Sequence, residues 1–376
     1  MEEESPVFFR AGTDRERIAS QLAGSFGGPM PSACWLIGGG PSLTAEVADQ
    51  ILQTPIPRMG INLAGTGLLR PTFWTAYDPT VRFLKSVYLD PGIMKFVHER
   101  RAMDLVPETT YKVCECPNLY FFEGDRHRGF QRFVSESHRR IVDWNDSFVQ
   151  AIDILFQLGF RRIYLAGCDL HIKASAELCR MSLEKGAKLP NGKALADVTA
   201  ACEKAGVSRR ELIRCAPGQL YHFEQRKSFQ AAVATDQHYM RVVQYLRLAR
   251  RSMTMAGLEL VSVTPGSRLN DYFPYRDIAE VVGDLTGLIG PLSEPTVGLY
   301  ERTEPRLPAL QWTMRDFRPL HWSPDGKDRP IACEQMADDE PADDEADLPL
   351  RMMDQDVRRR EIQRMQRESV EINEVG

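Results

Sequence analysis

ACWLIGGGPSLTAEVADQILQ, residues 33–53, begins as an apolar run, breaks at Gly38-Gly39-Gly40, and resumes with Leu43, Val47 and Ile51 one helical turn apart. The run predicts a buried strand over 33–38, and the later spacing predicts a helix over 42–53 with Ser42 as its N-cap. Glycines let the backbone approach a ligand closely, and a helix N-terminus presents free N–H groups, so the corner offers a seat for an anion. GGGP does not match the G-x-G-x-x-G dinucleotide pattern and lacks a P-loop lysine. A plain strand-to-helix corner explains it equally well.

The same punctuation continues along the chain. RMGINLA (58–64) and TFWTAYDP (72–79) read as short strands whose ends carry Asn62 and Asp78, and YKVCECP (111–117) and LYFFEG (119–124) read as two more. In DSFVQAIDILFQLGFRRIYLAGCDLH (146–171), Phe148, Ala151, Ile152, Leu155 and Leu158 form a helical stripe stopped by Gly159, and RIYLAG follows as a buried strand. A long amphipathic helix is expected over 235–257, then the strand LELVSV and the turn TPGSRLND. Strands alternating with helices predict an α/β, Rossmann-like fold, a mainly parallel sheet with helices on both faces.

That leaves three peripheral regions. Residues 1–30 read as a polar tail with a short helix near 15–22, and 172–234 as a lid inserted into a catalytic domain of 31–290. Residues 291–376, rich in proline and acidic runs, read as a partly disordered extension. With 376 residues and a net charge of −5, the chain is long enough for an enzyme and has no global basic field for nucleic acid. The basic, aromatic stretch 125–140 reads as a charged helix surface, with contact to a polyanionic acceptor as the alternative. Cys114-x-Cys116 fits one face of a strand better than a zinc knuckle, and the eight cysteines read as reduced thiols. The absence of a long apolar run or a signal-peptide pattern leads to an expectation of a soluble, cytoplasmic protein without a transmembrane segment.

In open α/β sheets the ligand crevice lies beyond the carboxyl ends of the strands, so Gly39, Asn62, Asp78 and the helix start at Ser147 are expected to face one cleft. IGGGPSL, GIN, FWTAYDP and the 146–171 stretch, in that order and spacing, resemble bacterial sialyltransferases that decorate lipo-oligosaccharides. They are also similar to the motility accessory factor glycosyltransferases and their relatives, which include a hydroxymethylpterin diphosphokinase. The resemblance covers about residues 33 to 280.

It implies a transferase moving a sugar from a nucleotide-activated donor to a hydroxyl acceptor. Gly38, Gly39, Gly40, Ser42, Asn62, Asp78, Ser147, His171 and Ser267 would bind the donor, and His222, His238 and Asp169 would be the catalytic candidates. Gly39 stands where the sialyltransferases carry an asparagine near the donor phosphate, and Asn62 and Ser147 match an asparagine and a serine that contact the donor. His171 replaces a tyrosine that steadies the leaving phosphate, and Trp144 replaces an arginine. Asp78 replaces another asparagine, as in the motility-factor relatives; its added charge near a phosphate calls for Mg²⁺ or Mn²⁺, with Asp78 as a ligand. Asp169 reads as a second oxygen ligand, a ribose acceptor or a turn cap. The base is His222 or His238. The acceptor is left open among a glycan, a glycolipid, a protein and a modified nucleic acid, as is a homo-oligomeric state. The alternatives are a diphosphokinase using ATP on a pterin-like alcohol and a non-catalytic nucleotide-binding protein.

Overall fold

The computed structural model describes residues 6–12, 16–28, 32–190, 193–216, 218–220 and 226–289, all within one compact unit. His222 and the C-terminal extension from 291 onward lie outside the described residues. The strands are β1 Phe9–Ala11, β2 Arg17–Ala19, β3 Ala33–Ile37, β4 Arg58–Ile61, β5 Phe73–Thr75, β6 Met94–His98, β7 Leu119–Phe122, β8 Gly124–Asp125, β9 Ile141–Val142, β10 Arg162–Ala166, β11 Gly218–Leu220, β12 Arg226–Ser228 and β13 Glu259–Ser262. The helices are α1 Ala45–Leu52, α2 Lys85–Leu89, α3 Ser147–Leu158, α4 Ala176–Glu184, α5 Leu195–Lys204, α6 Arg209–Cys215, α7 Phe229–Met255 and α8 Ile278–Ile289.

Nine strands form one sheet in the order β13-β10-β3-β4-β5-β6-β7-β1-β2. The run from β13 to β7 is parallel throughout, and β1 and β2 close one edge antiparallel. From β3 the chain lays down β4 to β7 on one side, then returns to place β10 and β13 on the other. Strand order therefore reverses between β3 and β10, which is where open α/β sheets hold ligands. The sheet is Rossmann-like, as the strand and helix alternation predicts.

Side chains along the strands alternate between two cores, as the period of two requires. Phe8, Phe73, Phe96, Tyr120 and Phe122 join the cluster that holds α3 and the second half of α7. Phe9, Trp74, Val97, Leu119 and Phe121 join a second cluster with Tyr88 from α2. Every residue of α3 is buried, between Asp146 as N-cap and Gly159 as C-cap. Gly159 has φ 109°, and a Cβ there would lie 2.4 Å from the Gly27 nitrogen, so this end admits no side chain.

Four expectations are corrected. Residues 16–22 do not form a helix: Arg17–Ala19 is a strand, and Val7, Phe8 and Phe9 are core residues. Val113–Glu115 is a 3-10 turn, closed by the Glu115 carboxylate accepting from the Lys112 N–H. The basic stretch 125–140 holds a short 3-10 turn at Phe130–Arg132, and Arg128 points inward onto buried Asp153 at 2.9 Å. The insertion after His171 has its own core of Leu178, Leu195, Val198, Leu212 and Phe229, and α7 starts at Phe229 within that core. A single 27-residue helix thus joins the insertion to the main sheet.

Candidate functional site

The glycine corner follows β3 and lies against the loop that follows β10. Gly38 N–H donates to the Ala166 carbonyl and Gly40 N–H to that of Gly167, both at 2.8 Å. A Cβ on Gly38 would sit 2.5 Å from the Gly167 oxygen, and one on Gly40 only 1.9 Å from Asp169 Oδ2. These glycines are demanded by loop-on-loop packing, and their amides are already spent. Gly39 is half-buried, and its N–H has no hydrogen-bond partner among the described residues.

Ser42 does not cap the helix. Its hydroxyl donates to Asp169 Oδ2 at 2.6 Å, while Thr44 takes the N-cap role and accepts from Val47 N–H. Asp169 therefore ties the two loops together. Ser267, the expected donor of the last loop, gives its hydroxyl to the Cys168 carbonyl at 2.6 Å and accepts from Leu269 N–H. His171 is buried, and its Nδ1 lies 2.9 Å from the Asp169 carbonyl. A carbonyl only accepts, so Nδ1 is the donor of this bond.

A second group assembles one strand over. β3 and β4 pair with Ile37 opposite Gly60, so Asn62 follows Gly60 as Gly39 follows Ile37. Asn62 turns sharply at φ 54°, held by Trp74 Nε1 donating to its carbonyl at 2.8 Å. Ser147, the first residue of α3, donates its hydroxyl to Asn62 Oδ1 at 2.8 Å and accepts from Tyr77 N–H at 2.9 Å. The ends of β4 and β5 are thereby fastened to the start of α3. Asn62 Nδ2 has no partner among the described residues and remains available to a ligand.

Beside Ser147, Asp146 divides its carboxylate. Oδ1 accepts from Phe148 and Val149 N–H, and Oδ2 lies 2.8 Å from His238 Nε2 on α7. Trp144 stacks on His238 with ring centroids 6.3 Å apart, and on Tyr245 at 4.9 Å. Trp144 thus orients a histidine. Trp144 and Asn145 both take positive φ, at 38° and 54°. With Asn62 and with Leu170 at 49°, unusual backbone concentrates along this edge of the sheet.

Asp78 is near this group through Tyr77, but its carboxylate faces Arg82 at 3.3 Å. Among the described residues, no three His, Cys, Asp or Glu side chains come together in a way that could hold a metal ion. Asp78, the residue expected to hold Mg²⁺ or Mn²⁺, is thus set against a guanidinium.

Several residues of this edge escaped sequence reasoning. Tyr77 donates its hydroxyl to Asn145 Oδ1 at 2.6 Å, and the Arg100 guanidinium lies over the Tyr77 ring at 4.5 Å. Asp143 is fully buried nearby, with Arg126 at 3.8 Å. Burial pushes the Asp143 carboxyl above its usual range, while Arg126 and Arg100 pull it back. The N-cap pattern Asp-Ser could have singled out Asp146; nothing local pairs it with His238, far along the chain.

The fold and these contacts define a Rossmann-like α/β protein with polar side chains gathered at the carboxyl edge of its parallel strands. Compared with protein-family models, curated proteins and solved structures, the chain matches none. No helix among the described residues is long and apolar enough to cross a membrane.

Proposed function

We propose that the protein is a glycosyltransferase that moves a sugar from a nucleotide-activated donor to a hydroxyl acceptor at the carboxyl ends of β3, β4 and β5. The observation that carries this reading is the link from Asn62 through Ser147 to Tyr77, which leaves Asn62 Nδ2 without a partner among the described residues, while Asp146, one residue before Ser147, pairs with His238. Gly39 N–H and Asn62 Nδ2 are the unspent donors for the donor's phosphate or base.

His238 is the base in this scheme. Asp146 accepts from its Nε2–H, which leaves Nδ1 to take the proton of the acceptor hydroxyl. The freed oxygen attacks the anomeric carbon, and the bond from that carbon to the donor phosphate oxygen breaks. His171, held through Nδ1 by the Asp169 carbonyl, is the side chain assigned to the departing phosphate.

The test is thermal unfolding of the purified chain with a panel of nucleotides and nucleotide sugars. A ligand at a hundred times its dissociation constant should add about 2.7 kcal/mol. A response to nucleotide sugars or to UDP or CMP supports the reading, whereas a response to ATP alone favours the diphosphokinase. His238→Gln should keep the nucleotide response and lower turnover by roughly 10²–10⁴-fold. Unchanged turnover in that variant would remove His238 as base, and a protein that binds nucleotides without turnover would be the non-catalytic alternative.

A further inference from the structure

Two guanidinium groups at the carboxyl edge are less fully paired with carboxylates than other arginines here. Arg17 pairs with Glu99, Arg70 with Asp90 and Arg140 with Glu123. Arg100, in the turn after β6, has no carboxylate within ion-pair distance among the described residues. Its Nε is buried without a hydrogen bond, and its Nη2 reaches only the Tyr77 carbonyl, at 3.5 Å. Arg126, just after β8, has Asp143 at 3.8 Å, and the charges of both arginines act on that one fully buried carboxylate. The two flank one aromatic ring: Arg100 stands 4.5 Å and Arg126 6.0 Å from the Tyr77 centroid. Two cations and one carboxylate leave an excess of positive charge beside the ring, which a further anion would offset.

We infer that Arg100 and Arg126, set about the Tyr77 ring at the carboxyl ends of β5, β6 and β8, bind the phosphate or carboxylate group of an anionic acceptor. Guanidinium forks match the planar geometry of such oxyanions. β6 is three strands from β3 in the sheet, roughly 14 Å at the usual strand spacing. That is too far for the same phosphate to touch Gly39. The Asn62–Ser147 link lies between the two, so a donor at the glycine corner and an acid-bearing acceptor at the arginines would meet over it. The assignment to an acceptor rests on the glycosyltransferase reading; the anion site itself does not.

The experiment measures thermal unfolding of the full chain with inorganic phosphate, acetate or chloride at matched ionic strength, for the wild type, Arg100→Gln and Arg126→Gln. Arg126 is largely exposed, so its variant keeps the test open if Arg100→Gln fails to fold. Phosphate or acetate should stabilise the wild type beyond chloride, with apparent affinity falling roughly tenfold in each variant while any nucleotide response persists. The stronger of the two anions tells a phosphorylated acceptor from a carboxylate-bearing one. Equal responses to all three salts, or an anion response unaltered in the variants, would overturn the site. An arginine-dependent anion response in a protein that ignores every nucleotide would keep the site and refute the donor reading.

Discussion

Gly40 shows how a residue that suggests ligand binding can serve packing first. Its missing side chain leaves room for Asp169, and its N–H is committed to the loop after β10. Gly40→Ala should therefore push the two loops apart and cost about 1–3 kcal/mol, read as a lower midpoint in denaturant. An unchanged midpoint would mean that the loops yield freely. Asn62 is the contrasting case. Its left-handed backbone is an unfavourable geometry for a residue with a side chain, and the Trp74 and Ser147 bonds hold it there with one amide group unspent.

α3 is buried over its whole length, so its polar residues need partners inside the protein. Gln150 donates to Thr75 at 2.6 Å, Gln157 to the Ser135 carbonyl at 2.9 Å, and Asp153 receives both Arg128 and Val142 N–H. Burial lifts Asp153 to about 6, with Arg128 and the Val142 N–H acting against that rise. The folded state then holds this proton more tightly than the unfolded chain. Stability from this group is present below about pH 4 and declines as pH rises toward 6, by about 3 kcal/mol in all. Asp153→Asn should flatten that part of the stability profile. Arg128→Met, which strands the carboxylate, should cost about 3–5 kcal/mol at pH 7 by denaturant titration.

The same packing logic explains what could be read in advance. The strands at 33–37, 58–61, 73–75, 119–122, 162–166 and 259–262 announce themselves as apolar runs closed by turns. α3 does so through its stripe and its glycine stop. β6 was hidden because MKFVH carries Lys95 into the interior, where burial lowers it to about 7 and its ammonium donates to the Asp90 carbonyl. β1 and β2 are three residues each and gain their shape only from distant partners, so no local pattern marks them. Of the site, Asn62 and Ser147 were legible as strand-end and helix-start residues. The joining of Asp146 to His238, and of Arg100 and Arg126 to Tyr77, exists only once the sheet is assembled.

Across the whole unit, α7 couples the insertion to the sheet, and Asp236 is its fastening point. One carboxylate oxygen accepts from Ile172 N–H at 2.8 Å and the other from Ala196 N–H at 2.9 Å, while Arg268 reaches it from the turn after β13. Asp236→Ala would strand these donors in a fully buried position. A loss of about 3 kcal/mol or more is expected, together with faster proteolytic cleavage within 172–228 than in the wild type. Resistance to protease equal to the wild type would show that the insertion is held elsewhere.

The antiparallel edge bears on how the chain is made. Phe9 of β1 pairs with Phe121 of β7, so this apolar segment leaves the ribosome with no seat until most of the parallel strands have emerged. Val7, Phe8 and Phe9 must wait in water, a sticky triplet in a nascent chain, which makes early synthesis the stage at which a chaperone would be of most use.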